Sequence, residues 1–257
     1  MVIKDLYNLK GKTALVTGSS QGIGKAIALG LAEMGANIIV HYRSEKELAE
    51  ETVSEIKEFN VKSESVMADL ADVNAPGEIF AKSKELLGSV DILVLNASVQ
   101  IRKKWQDISP EEFELQVNVN MRSSLMLIQK FIPHMQEQRW GKILTIGSVQ
   151  QKRPHPDMLI YSASKTAIVN MVKSLALQLA PYQININNLA PGIIDTTRNS
   201  NVLNDPVNLE IAKSKIPIGY IAKAQDCASL AVLLCTDAGR YITGEDIYVD
   251  GGMNIPF

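Results

Sequence analysis

Residues 13–24 read TALVTGSSQGIG. A β-branched and aliphatic run ends at Thr17, glycines follow at positions 18, 22 and 24, and a helical period begins at once. Gly18 permits a tight turn, Gly22 lets backbone N–H groups approach a pyrophosphate, and Gly24 lets the helix pack closely on the sheet with its positive end toward the phosphates. The spacing is G-x-x-x-G-x-G rather than the commoner G-x-G-x-x-G. A glycine triplet alone is weak evidence, and its place between a strand and a helix is what gives it weight. The neighbouring GKT at 11–13 is no P-loop, because Leu6 stands where that motif requires a glycine.

Outward from this loop the same alternation repeats. Aliphatic runs at NIIVHY (37–42), ILVL (92–95), KILTIG (142–147) and ININNLA (184–190) are each followed by a longer segment of helical period. A weaker run, SESVMAD (63–69), fits between the second and third, and DIYVD (246–250) closes the series. Helices are expected at Ile23 to Met34, Glu45 to Phe59, Glu111 to His134, Tyr161 to Leu179 and Asp226 to Thr236. The pattern predicts an α/β fold: a Rossmann-type, doubly wound, seven-stranded parallel sheet flanked by helices on both faces. No composition shift or linker divides the chain, so residues 1–257 are expected to form one nucleotide-binding domain. In such sheets ligands sit beyond the carboxyl ends of the strands, where the strand order switches.

Composition narrows the function classes. With 46% hydrophobic and 21% charged residues the chain reads as globular rather than disordered. Its longest apolar runs, such as AIALGLA at 26–32, are too short to cross a bilayer, and the first residues lack a signal-peptide core, so a cytoplasmic protein is expected. A net charge of −2 offers no general attraction to nucleic acid or an anionic membrane. Cys227 and Cys235 read as core packing. His41, His134 and His155 lack metal-ligand spacing, and no metal is expected.

YSASK at 161–165 places a phenol and an ammonium one helical turn apart, with small residues between them. A phenol ordinarily ionises near pH 10, and a cation fixed beside it favours the phenolate. By itself Y-x-x-x-K occurs often by chance on solvated helix faces.

With TGSSQGIG, YSASK, APG at 190–192 and ITGEDIYVDGG at 242–252 taken together, the chain resembles the single-domain short-chain dehydrogenases/reductases from residue 11 to 252. The resemblance implies a catalytic tetrad. Tyr161 is the expected general acid or base, Lys165 tunes its pKa and holds the nicotinamide ribose, and Ser148 hydrogen-bonds the substrate oxygen. Asn120 anchors a water of the proton relay; Asn118 is the nearby competitor, and the seven-residue distance from Phe113 favours Asn120. The resemblance also implies cofactor contacts at Gly18, Ser20, Gln21, Gly22, Ile23 and Gly24 for the phosphates. Asp69 and Leu70 would lie near the adenine, Asn96 and Ala97 near its ribose, and Pro191, Gly192, Ile194 and Thr196 near the carboxamide. Members usually read NNAG after the fourth strand, whereas this chain has Leu95, Asn96, Ala97 and Ser98.

NAD-preferring relatives place an aspartate at the end of the second strand. Here that end reads Tyr42, Arg43, Ser44, with no carboxylate to repel a 2′-phosphate and a guanidinium able to pair with one. NADP(H) is therefore expected over NAD(H); the alternative for Arg43 is a solvated loop residue.

The loops expected to rim the site carry Arg102, Lys103, Lys104, Arg153, His155 and Arg198. Cations converging on one pocket favour an anionic substrate, and solvated side chains are the alternative for each. Arg102 lies where the gluconate 5-dehydrogenase branch has a substrate-contacting arginine. Arg102, Ser148, Gln150 and Tyr161 are thus the expected substrate contacts, and a keto-sugar acid the expected substrate. The rival is the 3-oxoacyl-acyl-carrier-protein reductase branch, which docks its acidic carrier on arginines; Arg139 fills one such place and Gln178 the other. A catalytically silent NADP(H)-binding protein would be expected to lose tetrad residues, and all four are present. Residues 197–217 are expected to form a substrate lid, and the resemblance implies a homotetramer.

Overall fold

The computed structural model describes residues 2–255; Met1, Pro256 and Phe257, the ends of the expected 1–257 unit, lie outside the described residues. In chain order the elements are β1 (Thr13–Val16), α1 (Gly22–Glu33), β2 (Asn37–Tyr42), α2 (Lys46–Lys57), β3 (Ser63–Met67), α3 (Ala75–Leu87) and β4 (Ile92–Leu95). There follow α4 (Pro110–Val117), α5 (Ser123–Gln138), β5 (Gly141–Ile146), α6 (Leu159–Leu179), β6 (Ile184–Pro191) and β7 (Ile194–Asp195). The remainder are α7 (Ser200–Leu203), α8 (Pro206–Ser214), β8 (Ala222–Lys223), α9 (Ala224–Leu234) and β9 (Asp246–Val249).

Seven strands form one parallel sheet in the order β3-β2-β1-β4-β5-β6-β9. Strand side chains alternate between two cores. Ala14, Val16, Ile38, Val40, Ile92 and Val94 pack beneath Ile27 and Leu31 of α1, Ile56 of α2 and Cys227 and Ala231 of α9. Leu15, Ile39, Leu93, Ile143 and Ile186 face Ile79 of α3, Leu127 and Phe131 of α5 and Ile168 and Val172 of α6 on the other side. Both cysteines are free and buried in the first core, as their apolar setting implied.

Four features differ from expectation. The helix expected at Glu111 to His134 is interrupted at Asn118–Arg122 by one wider, π-type turn between α4 and α5. Such an inserted turn lets a side chain leave the helical register, and here that side chain is Asn120. Residues 197–217 are more regular than their weak periodicity suggested: a short turn at Thr197–Asn199 leads into α7 and α8. Asp205 caps α8 by accepting from Val207 N and Asn208 N, with Pro206 in the first turn, a start signal well suited to a helix. Finally, α3 and the small β7–β8 pair were not anticipated. Among the described residues no helix is long and apolar enough to cross a membrane.

Candidate active site

Reversal of strand order between β1 and β4 opens a crevice at the carboxyl edge of the sheet, and a cavity of about 960 Å³ occupies it. Gly18 (φ +62°) and Gly22 (φ +61°) adopt the left-handed conformation that other residues resist. A Cβ on Gly24 would collide with the Gly18 carbonyl and the Asn96 side chain, so Gly24 lies under the loop and not on the cavity wall. Gly18, Ser20, Gln21, Gly22 and Ile23 do line the cavity. Helix α1 starts there without a side-chain cap and without an acidic residue in its first turn. Uncapped N–H groups at a positive helix end suit a phosphate group.

The loop is braced from two sides. His41 Nδ1 accepts from Gly18 N at 3.0 Å while Nε2 donates to Ala68 O at 3.1 Å. Burial pushes the His41 pKa down to about 4, against smaller opposing effects of the Ala68 carbonyl and Asp69. The neutral ring is what the Gly18 bond requires. From β4, Asn96 Nδ2 donates to Thr17 O (2.9 Å) and Gly18 O (2.8 Å).

Beyond β2 and β3, Tyr42, Arg43, Asp69 and Leu70 lie on the wall. Ser44 does not, and its hydroxyl is engaged in donating to Glu45 Oε1 at 2.9 Å. Glu45 takes its place on the wall, so a carboxylate does face this part of the cavity, contrary to expectation. The sequence hid this because Glu45 reads as the first residue of a helix.

Tyr161 and Lys165 project from α6, only 5% and 4% exposed. Lys165 Nζ lies 5.6 Å from the Tyr161 ring centroid and donates to Ile146 O at 2.6 Å. Burial, reinforced by the Arg198 charge, pushes the Lys165 pKa down to about 7. Ser148, at the end of β5, accepts from Gln150 N at 3.2 Å. These groups share the wall with Asn96, Ala97, Pro191, Gly192, Ile194 and Thr196. Asn120 stands behind it: Oδ1 accepts from Val99 N, and Nδ2 donates to Val99 O (2.9 Å) and Ser164 Oγ (3.1 Å). Asn118 makes no such side-chain bonds and is less buried than Asn120.

The expected basic rim divides. Arg102, His155 and Arg198 line the cavity, as does Gln150. Lys103 is instead paired with Glu112 at 2.9 Å, Arg153 donates to the Met253 carbonyl, and Lys104 is exposed away from the wall. Lys215, just after α8, joins the rim unannounced. No local motif marks it.

A family model described as enoyl-(acyl carrier protein) reductase matches residues 18–254. The chain is 34% identical to 3beta-hydroxysteroid dehydrogenase 1 of Eggerthella lenta, over 96% of this chain and 95% of that one. It is 36% identical to 3-oxoacyl-[acyl-carrier-protein] reductase FabG of Staphylococcus aureus, over 94% and 98%. Among solved structures, a gluconate 5-dehydrogenase from Burkholderia cenocepacia in complex with NADP and tartrate superposes with a TM-score of 0.92, at 29% identity and with both chains fully covered. Glycine loop, parallel sheet and Tyr161–Lys165 pair thus coincide with full-length sequence similarity, and the chain belongs to the short-chain dehydrogenase/reductase family, as an NAD(P)-dependent oxidoreductase acting on CH–OH groups.

Proposed function

We propose that this oxidoreductase interconverts a ketone and a secondary alcohol, prefers NADP(H) to NAD(H), and acts on a small anionic substrate such as a keto-sugar acid. The observation carrying this reading is the cationic rim: Arg102, Arg198 and Lys215 line the cavity that Tyr161 and Ser148 also line, in a chain of net charge −2. A cleft in which one sign of charge predominates concentrates ligands of the other.

When bound, the nicotinamide supplies or accepts hydride at the carbonyl carbon. The protein's residues manage the accompanying proton. Ser148 Oγ donates to the substrate oxygen and Tyr161 Oη transfers a proton to it in reduction, or removes one in oxidation. Protonated Lys165, beside the ring, stabilises the phenolate that reduction leaves behind. Asn120 has committed its side chain to Val99 and Ser164, and its carbonyl, which accepts from Ser124 Oγ at 3.2 Å, would be the group to anchor a relay water.

Gly18, Ser20, Gln21, Gly22 and Ile23 would hold the pyrophosphate, Asp69 and Leu70 the adenine, and Asn96 and Ala97 its ribose. Tyr42 and Arg43 would meet the 2′-phosphate, and Pro191, Gly192, Ile194 and Thr196 the nicotinamide end. Residues 197–217 would close over the substrate. Helices α5 and α6 would form the tetramer faces, an assignment supported by Leu177, which is 82% exposed on α6.

Identity with the Staphylococcus enzyme favours a second reading, a 3-oxoacyl-acyl-carrier-protein reductase. Two side chains speak against it. Gln178 is uncharged and folds back on Ser174 O, so Arg139, which donates to Pro181 O, is the one cation of the two docking places. The deciding experiment follows NADPH oxidation with 5-keto-gluconate, uncharged keto-sugars, 2,3-butanedione, a 3-keto steroid and an acetoacetyl thioester, each repeated with NADH. Fast turnover of the keto-acid with NADPH supports the proposal; preference for the thioester replaces it with the second reading.

A further inference from the structure

The loop after β4 and the turn before α6 are joined by a backbone hydrogen bond from Lys103 N to Asp157 O at 2.8 Å. That stitch brings Arg102 Nη2 to 3.2 Å from His155 Nε2. A neutral ring cannot accept at both nitrogens, yet Arg102 Nη2 and Asp157 N each present a donor to one of them. A neutral imidazole has one N–H and one lone pair, and a guanidinium only donates. His155 spends its lone pair at Nδ1, accepting from Asp157 N at 3.1 Å to cap the turn Pro156–Met158. This cap is imposed by two residues of local backbone, whereas the Arg102 side chain is exposed and free to move. With the lone pair assigned to this local cap, the ring proton is assigned to Nε2, and Nε2–H and Arg102 Nη2 are then two donors side by side.

Both residues line the same cavity as Tyr161. The backbone that carries His155 is also tied toward Ser148: His155 N donates to Gln150 Oε1 at 2.7 Å, and Gln150 N donates to Ser148 Oγ at 3.2 Å. Two donors on adjacent loops of the cavity, one of them linked through Gln150 to the serine, can share one anionic oxygen. Ionised acceptors make the stronger hydrogen bonds with such donors.

We propose that His155 Nε2–H and Arg102 Nη2 jointly bind a carboxylate oxygen of the substrate, which makes His155 a specificity-determining residue of this enzyme. The proposal rests on the keto-acid reading above and assigns the group that recognises the acid. It also gives Gln150 a positioning role, since its side chain carries the link from Ser148 to His155.

The test uses NADPH-loaded protein and two readouts. One is tartrate binding by calorimetry; the other is the ratio of kcat/KM for 5-keto-gluconate to that for 2,3-butanedione. His155→Asn keeps an acceptor near the Nδ1 position for the cap and removes the outer donor. Loss of one hydrogen bond to a charged group should weaken tartrate and lower the ratio about tenfold or more. His155→Gln, whose amide nitrogen reaches the Nε2 position, should recover most of both. Arg102→Met, at an exposed position, should reproduce the loss, and the NADPH affinity of every variant reports that the protein is intact. If wild-type protein binds tartrate and prefers the keto-acid while His155→Asn changes neither, the His155 assignment is overturned and the keto-acid reading stands. If wild-type protein reduces 2,3-butanedione but neither binds tartrate nor prefers the keto-acid, both fall.

Discussion

The Arg198 guanidinium bridges two walls of the cavity by donating to Ser98 twice, to Oγ at 2.9 Å and to the carbonyl at 2.8 Å. Ser98 stands where the family usually has glycine, so the hydroxyl half of this bridge belongs to the departure in sequence. Thr197 adds a second tie, donating to Gln21 Oε1 in the glycine loop at 2.9 Å. The segment leading to α7 and α8 is thus fastened at its first turn. Ser98→Ala removes one charge-assisted bond without adding backbone freedom, an effect of about 1.5–3 kcal/mol when the partner is charged. Limited proteolysis of cofactor-free protein should then cut within residues 197–217 several-fold faster than in wild type. Equal cleavage rates would show that Thr197 and the carbonyl bond suffice.

Tyr161→Phe removes only the hydroxyl from a buried ring. Because no protein atom is needed to replace it, NADPH binding measured by fluorescence should stay within about twofold, while ketone reduction should fall by the roughly 10²–10⁴-fold that general acid catalysis contributes. Retained turnover would transfer the proton chemistry to another group.

Lys165 carries a stability cost in the cofactor-free protein. Its pKa falls from 10.5 to about 7, burial being the larger cause and Arg198 the smaller. Between those values the unfolded chain binds the proton that the folded protein sheds, so this contribution to stability rises with pH from about 7 to 10.5. At pH 7 and below the cost is fully present, at about 1.4 kcal/mol for every tenfold change in proton affinity. Lys165→Met should therefore abolish turnover yet raise the cofactor-free Tm near pH 7, with the gain shrinking toward pH 10. A variant less stable than wild type at both pH values would show that the Ile146 hydrogen bond outweighs the desolvation.

Much of this arrangement was legible because it depends on local pattern. TGSSQGIG marks its own strand, turn and helix, and Tyr161 and Lys165 share a face by spacing alone. What the sequence hides are the partners chosen by tertiary contact. Arg102, Lys103 and Lys104 are consecutive cations, but Glu112 claims only the middle one. Ser98 and Arg198 meet across 100 residues, and Gln21 and Thr197 across 176. The π-type turn that frees Asn120 has no composition signature, since the residues around it form good helix on either side.

His41 makes the glycine loop sensitive to acid. Its folded pKa, about 4, lies below the ordinary 6.5, with burial the dominant cause. Between pH 6.5 and 4 the unfolded chain takes up a proton that the folded one refuses, so stability falls as pH drops through this window and levels off below about 4. The loss across the window amounts to about 3 kcal/mol, since a tenfold change in proton affinity is worth about 1.36 kcal/mol. His41→Asn keeps an acceptor toward Gly18 N without a titrating ring. Urea unfolding at pH 7 and 4.5 should show a smaller loss in the variant than in wild type; identical losses would locate the acid sensitivity elsewhere.

The proposed preference for NADP(H) can be tested at two neighbouring charges of opposite sign. Arg43 lies on the cavity wall where a 2′-phosphate would be met, and Glu45 lies on the same wall. Ser44 donates to the Glu45 carboxyl and, as the largest cause, lowers its pKa, with Arg43 adding in the same direction, so Glu45 is ionised at neutral pH. An ionised Glu45 would compete with a 2′-phosphate for Arg43 and repel it. Arg43→Ala should reduce the kcat/KM ratio of NADPH to NADH by about tenfold or more, the worth of a hydrogen-bonded ion pair at this level of exposure being roughly that of one charged hydrogen bond. Glu45→Gln should move the ratio the other way, by a smaller factor because the side chain is solvated and screened. The comparison is made at low and at 0.5 M salt. If Arg43→Ala leaves the ratio unchanged while Glu45→Gln alters it, selection rests on the carboxylate alone, and Arg43 is a solvated loop cation.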